Sequence, residues 1–377
     1  MDFRLSEQER MVQQAARAFA EDVVRPLAPA LDKGAPFPWD AVREAGRLGY
    51  LGLPYPSTLG GSGLGYVPLA LALEQVARAS LAFAAIISVH HLATEALYLF
   101  APDPLKKRLL PRLASGEGLG ALAFTEAETG SNPKLITTKT TPVPGGYRLD
   151  GEKTFVSMGR EAAICIVFAQ AEKGVDAFAV ELPHQGFQPG QPVETLGGRG
   201  LPTVAVHIED LFVPEGNRLG APGKGYDVLL DVIATGKLCV AFQAVGVAQR
   251  ALELALEYAE RRQAYDAPLN RLPSIQWLLA EMATQVEAAR WLAYRSMAKK
   301  DEGGPAPRAE AAMAKLFCSR VAVQATSDAM QVHGAYGYAG SPEIERLYRD
   351  AKLTEIYEGT SEIQRTIVAR SLTTGRG

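Results

Sequence analysis

Polar residues alternate with small apolar ones at helical spacing through the opening of the chain. Ser6 and Glu9 read as a capping box, and Met11, Ala15, Ala18 and Phe19 recur on one face, which predicts a helix starting there. Pro26 and Pro29 predict that this helix kinks or ends. Helical periodicity returns over 68–87 and 104–114, with the Gly-rich turn GGSGLG at 60–65 before it. That turn is not a dinucleotide fingerprint: its glycines miss the G-x-G-x-x-G spacing, and no strand-like run leads into the next helix.

From 119 to 220 the pattern shortens to apolar runs at 164–168, 177–180 and 204–208, punctuated by Pro-Gly-Gly, Asp-Gly and Gly-Gly. This predicts an all-β unit of antiparallel hairpins. Long helical runs resume over 227–262, 274–300 and 307–333, with Gly303, Gly304 and Pro305 as a break. The expected units are a helical one over 1–118, a β one over 119–224 and a second helical one over 225–377. Segregated blocks argue against an alternating βαβ sheet, and no short-period repeat is present.

The 377 residues, 47% of them hydrophobic, suffice for two or three globular domains. With 39 basic against 42 acidic side chains the net charge is −3, so nothing drives binding to nucleic acid or anionic membranes. No apolar stretch reads as approaching the roughly 20 residues of a membrane helix, and the acids in MDFRLSEQER are unlike a targeting peptide. A cytoplasmic protein is expected. Cys165, Cys239 and Cys318 lie far apart in apolar runs, as buried thiols rather than disulfides or metal ligands.

P-loop, HExxH, G-x-S-x-G and paired CxxC motifs are missing. Of His90, His91, His184, His207 and His333, none stands four residues from another, which disfavours a helical metal site. Three segments could hold a polar ligand. Phe124 to Asn132 offers hydroxyls and glycine N–H groups for a phosphate or a flat heterocycle, or is simply a polar connection. Glu358, before the helix-breaking Gly359, is either a general base in a cleft or an ordinary acid at a helix end. Arg261 and Arg262 could clamp a pyrophosphate or end a helix in solvent.

Taken together, these segments resemble the acyl-CoA dehydrogenase family of flavoenzymes. The motifs are IYEGTSEIQR (356–365) after RDAK (349–352), FTEAETGSN (124–132), QVHGAYGY (331–338), GEKTFVSMG (151–159) and YAERRQAYDAPL (258–269). The resemblance runs from about Leu5 to about Leu372. It implies an α+β multidomain fold: an N-terminal α-helical domain, a middle antiparallel β-barrel-like domain and a C-terminal four-helix bundle. It further implies FAD as cofactor, and Glu358 as the base taking the α-proton of an acyl-CoA while the β-hydrogen leaves as hydride. The backbone N–H of Glu358 would support the developing enolate.

By the same resemblance Leu122, Phe124, Thr125, Gly130 and Ser131 contact the flavin, Phe155 and Ser157 flank its ring, and Thr360 and Glu362 touch it again. Arg262, Tyr265, Leu269 and Gln331 would reach the FAD of a neighbouring subunit, which implies a homotetramer built as a dimer of dimers, and Ala335 would lie near the FAD pyrophosphate. Ser131, Lys237, Tyr357 and Gly359 would line the acyl-CoA path, and electrons would pass to an electron-transferring flavoprotein. Some relatives carry the base on an earlier helix, where this chain has Gly236. A short- or medium-chain straight substrate, or a short 2-methyl-branched one, is therefore expected. Departures from the family pattern are Lys237 for Arg, Ala234 for Asp, Pro273 for Gln, and Ala335 and Asp266 for Gly, with Phe155 for Trp and Ser157 for Thr. Alternatives on the same fold are an acyl-CoA oxidase or flavin monooxygenase, and a non-catalytic flavin- or acyl-CoA-binding protein.

Overall fold

The computed structural model describes residues 4–303, 307–340 and 342–374. Its first helix, α1 (Glu7–Phe19), opens with the expected box: Ser6 Oγ accepts from the Glu9 N–H at 3.2 Å, and Glu9 Oε2 accepts from the Ser6 N–H at 2.6 Å. The prolines do not end the helical path. A π-helical turn, Ala20–Val24, leads directly into α2 (Arg25–Asp32). Pro26 falls in the first turn of α2, where a missing N–H removes no helical bond, and only Pro29 lies inside it.

The first helical block continues with α3 (Trp39–Arg47), α4 (Tyr66–Ala79), α5 (Leu81–Phe100) and α6 (Asp103–Ala114). The single helix expected over 68–87 is two. Ser80 is extended (φ −155°, ψ 116°), and its hydroxyl caps α5 by accepting from the Phe83 N–H at 3.3 Å. His90 and His91 are buried on α5. The Gly120 N–H donates to His90 Nδ1 at 3.3 Å while His90 Nε2 meets the Leu51 carbonyl at 3.1 Å, and His91 Nε2 meets the Tyr50 carbonyl at 2.9 Å. Burial pushes these rings down to about 3 and about 4, so both stay neutral.

Strands β1 (Leu119–Ala123), β2 (Lys139–Val143), β3 (Gly146–Ser157), β4 (Ala162–Ala171), β5 (Gly174–Glu181), β6 (Phe187–Pro192), β7 (Thr203–Pro214) and β8 (Arg218–Leu219) form one sheet ordered β6-β7-β3-β2-β4-β5-β8, with β1 added on β4. The expectation of antiparallel hairpins alone is corrected at β1, which runs parallel to β4 with Ala121 opposite Cys165. β2 also meets β4 in parallel, at Lys139 and Gln170. β1 enters from the helical block and leaves through a long loop, so no tight turn forces it antiparallel.

The second helical block holds α7 (Gly225–Arg261), a small hairpin of β9 (Gln263–Ala264) and β10 (Ala267–Pro268), α8 (Pro273–Asp301), α9 (Arg308–His333), α10 (Ala335–Ala339), α11 (Pro342–Ile356) and α12 (Ser361–Thr374). Gly303 follows α8, whereas Gly304 and Pro305 of the expected break lie outside the described residues. Both α5, at 20 residues, and α7, at 37, are long and apolar enough to cross a membrane, contrary to the reading that no stretch approached that length. Their surfaces are mostly covered by the rest of the fold: α7 packs on α4, α5, α8, α9 and α11. Their apolarity therefore serves the core. All three cysteines are buried and free.

Gly246 sets how closely α7 approaches α4, because a Cβ there would come within 2.3 Å of the Glu74 carbonyl oxygen and 2.8 Å of Ala77 Cβ. Backbone on both sides leaves no flexible end to yield. Gly246→Ala is expected to destabilise the protein by about 1–3 kcal/mol, read as a lower midpoint of urea unfolding.

Candidate active site

Between α11 and α12 the chain turns through two left-handed residues, Glu358 (φ +55°) and Gly359 (φ +94°). Glycine accepts this conformation freely, whereas for a glutamate it costs about 1–3 kcal/mol and must be imposed by its surroundings. Two buried side chains impose it. Gln364 Nε2, one turn into α12, donates to the Gly359 carbonyl at 2.7 Å and to the Glu358 carbonyl at 3.3 Å. Lys315 Nζ, from α9, donates to the same Gly359 carbonyl at 2.7 Å.

The Glu358 side chain turns toward α7. Its Oε2 is buried without a hydrogen-bond partner, and a Cβ on Gly236 would lie 2.8 Å from it. Glycine at 236 is thus what leaves room for the carboxyl. Burial pushes that carboxyl up to about 7, with the cations of Lys237 and Lys315 holding it back from rising further. The same burial pushes Lys237 down to about 8 and Lys315 to about 7. A carboxyl poised there is available both as base and as acid near neutral pH.

The turn forms one wall of a cavity of about 470 Å³. Around it the fold gathers Leu122, Phe124, Thr125, Gly130, Ser131, Phe155, Ser157, Tyr357, Glu358, Gly359 and Thr360, segments up to 238 positions apart that the sequence analysis singled out. A shift in the β3–β7 register between Lys153 and Val156 gives Phe155 a left-handed φ of +53° and leaves its ring 66% exposed at the cavity. Beside it the Thr154 Oγ1 is buried and unpartnered. An uncovered aromatic ring next to an orphaned hydroxyl fits a flat, hydrogen-bonding heterocycle such as a flavin ring.

Buried acids shape the remaining walls. Glu126 accepts from the N–H and hydroxyl of Thr137, both at 2.6 Å, from the N–H and hydroxyl of Thr138 at 2.9 and 2.6 Å, and from Lys153 Nζ at 2.8 Å. Burial raises this carboxyl, but Lys153 and the two threonines outweigh that and hold it at about 2. The loop carrying Thr125, Gly130 and Ser131 is anchored by that carboxylate. On the opposite wall Asp350 accepts the Gly198 N–H at 2.7 Å, and Arg349 donates to the Leu196 carbonyl at 3.1 Å and to Asp32 at 2.6 Å. These contacts hold the 195–198 turn at the cavity. Sequence reasoning assigned no role to Glu126, Lys153, Asp350 or Lys315, although three of the four stand within its quoted motifs. It also missed Thr154, Leu201 and Thr203, and the apolar pair Val89 and Leu92 on α5, all at the cavity.

Other singled-out residues lie elsewhere. Lys237 is buried behind Glu358, and Glu362 is exposed in the first turn of α12. Arg262, Tyr265, Leu269, Gln331 and Ala335 are outside the cavity. The stacked rings of Tyr258 and His333, 4.3 Å between centroids, bring the ends of α7 and α9 together, and the Leu269 N–H donates to the Arg262 carbonyl at 2.9 Å. Tyr265 stands 90% exposed on the β9–β10 turn.

Family models described as the N-terminal, middle and C-terminal domains of acyl-CoA dehydrogenase match residues 6–117, 121–211 and 223–373. Acryloyl-CoA reductase (NADH) of Anaerotignum propionicum is 37% identical over 381 residues, 99% of this chain and 96% of that protein. The mitochondrial short-chain specific acyl-CoA dehydrogenase of Homo sapiens is 38% identical over 378 residues, 98% of this chain and 90% of that protein. Among solved structures, butyryl-CoA dehydrogenase from Megasphaera elsdenii has a TM-score of 0.96 at 33% identity, covering 99% of this chain and 100% of that one. With three successive domain matches spanning nearly its whole length, the chain belongs to the acyl-CoA dehydrogenase family, whose members are FAD-dependent oxidoreductases.

Proposed function

We propose that this protein dehydrogenates a short, straight-chain acyl-CoA thioester between Cα and Cβ to the trans-2-enoyl-CoA, with Glu358 as the base. The observation that carries this reading is the buried, unpartnered Glu358 carboxyl at the cavity, pushed up to about 7. FAD, when bound, accepts the β-hydrogen with its electron pair. Glu358 takes the α-proton, and its own backbone N–H polarises the thioester carbonyl so that charge leaving Cα is stabilised as it develops. Tyr357 and Gly359 flank the acyl group, and the Tyr357 hydroxyl is held by donating to Gln243 Oε1. The Thr125, Ser131, Thr154, Ser157 and Thr360 hydroxyls and the Phe155 ring, all at the cavity, would hold the cofactor by hydrogen bonds and ring contact.

Chain length is read from what lies beyond the cavity lining along α5. One turn beyond Leu92 on α5, Glu95 is buried in a pair with Lys300 at 2.8 Å and accepts from the hydroxyls of Tyr66 at 2.5 Å and Thr235 at 3.3 Å. A long alkyl tail would have to disrupt that network, which favours a short substrate. The exposed Arg262, Tyr265, Gln331 and Ala335 and the half-buried Leu269 are read as the part of a homotetramer that completes the neighbouring cofactor site, and an electron-transferring flavoprotein as the electron acceptor.

Anaerobic titration of the flavin band tests this reading. Butyryl-CoA is expected to bleach it faster than octanoyl-CoA; the reverse order would remove the proposed floor of the slot. Glu358→Gln is expected to keep the flavin and the fold yet lose substrate-driven bleaching by at least about a thousandfold, and retained bleaching would place the base elsewhere. Because only the anion takes a proton, the reduction rate is expected to rise with pH through about 7 and then level off. Stopped-flow rates between acid and alkaline limits check that midpoint.

A further inference from the structure

Lys315 is fully buried in α9, yet its ammonium is placed differently from those of the buried Lys153 and Lys300. Lys153 and Lys300 pair with Glu126 and Glu95, each at 2.8 Å. Lys315 instead donates to a neutral acceptor, the Gly359 carbonyl, at 2.7 Å. Burying a cation against a carbonyl is unfavourable unless an anion lies near. The strongest such influence on Lys315 is the Glu358 carboxyl.

The second lone pair of the Gly359 carbonyl is taken by Gln364 Nε2, also at 2.7 Å, so this one oxygen is gripped from α9 and from α12. One helical turn along α9, Ser319 Oγ donates to the Thr354 carbonyl of α11 at 2.9 Å. The same face of α9 therefore holds the helix before the turn and the peptide after Glu358. Neither Lys315 nor Gln364 lines the cavity.

We propose that Lys315 is a positioning residue for the base: with Gln364 it clamps the Gly359 carbonyl from within the helical core, holding Glu358 left-handed with its carboxylate against Gly236 and with a cation behind it. This rests on the reading of Glu358 as the base. The cations acting on Glu358 are Lys237 from α7 and Lys315 from α9. Glu355 on α11 and Glu362 on α12 act on Lys315, while the Cys239 thiol of α7 and the Tyr357 phenol are the uncharged titratable neighbours. Removing the Lys315 charge removes one of only two cations favouring the Glu358 anion, so the base must titrate higher.

The test uses the flavin-loaded enzyme with Lys315→Met, Lys315→Gln and Lys315→Arg. Three quantities are measured: anaerobic flavin reduction by butyryl-CoA across pH, affinity for crotonyl-CoA by calorimetry, and flavin content. Lys315→Met is expected to lower the plateau rate by about tenfold or more and to move the midpoint of the pH profile up by about one pH unit, with product affinity and flavin content unchanged. Lys315→Gln, which keeps a donor, recovers part of the plateau rate but keeps the alkaline midpoint, and Lys315→Arg restores the midpoint. A wild-type midpoint in both Met and Gln variants overturns the proposal, as does a rate loss that tracks lost flavin or lost product binding. If Lys315→Met does not fold, the Gln and Arg variants decide alone. Glu358→Gln separates the two readings. If that variant still reduces its flavin, the base assignment fails; if it is inactive while the Lys315 variants behave as wild type, only the role of Lys315 fails.

Discussion

Everything at the site depends on keeping one carboxyl out of water in a conformation glutamate does not favour. Glu358 is left-handed, its Oε2 has no partner, and burial outweighs two nearby lysines, since the carboxyl stands at about 7 and not near 4.5. Such a group persists only where surrounding packing over-determines it. That packing comes from three helices: α7 yields space at Gly236, α9 supplies Lys315, and α12 supplies Gln364. The long, mostly buried α7 against α9 is the frame that keeps these contributions in register.

The remaining walls of the cavity are built on a different device. There, loops without regular structure are tied down by buried carboxylates, one with five donors and the other with a single backbone N–H. Glu126 fixes the loop after β1 through the Thr137 and Thr138 donors and Lys153, and Asp350 fixes the turn at Gly198. Glu126 is strongly acidic because five donors reward its charge. Asp350 is held up, to about 6, because burial exceeds what one backbone N–H and Arg346 return. Two acids in similar seclusion thus differ by the number of donors they meet.

Glu358 Oε2 has no such support, and this contrast separates it from the acids that hold the walls. The anchoring acids accept donors from the segments they hold, so a proton gained there would weaken the wall they maintain. The Glu358 Oε2 is left unpaired, while the backbone carbonyls of Glu358 and Gly359, not the carboxylate, receive the stabilising donors. Rigidity of the turn and freedom of the side chain are thereby obtained from different atoms of one short segment.

The sequence by itself determined the order of helical, β and helical blocks, the capping box at Ser6, and the residue types collected at Phe124–Asn132, Phe155–Ser157 and Tyr357–Thr360. Those are local properties, written in periodicity and in motifs short enough to read along the chain. It did not reveal the parallel pairing of β1 with β4, the break at Ser80, or that two apolar helices are interior ones. Nor did it reveal that Gly236 faces Glu358 across 122 positions, or that Lys315 reaches the Gly359 carbonyl. A carboxyl's proton affinity depends on how much water is excluded and which charges lie within a few ångströms. Both are set by which distant segments meet, so only the tertiary structure could decide them.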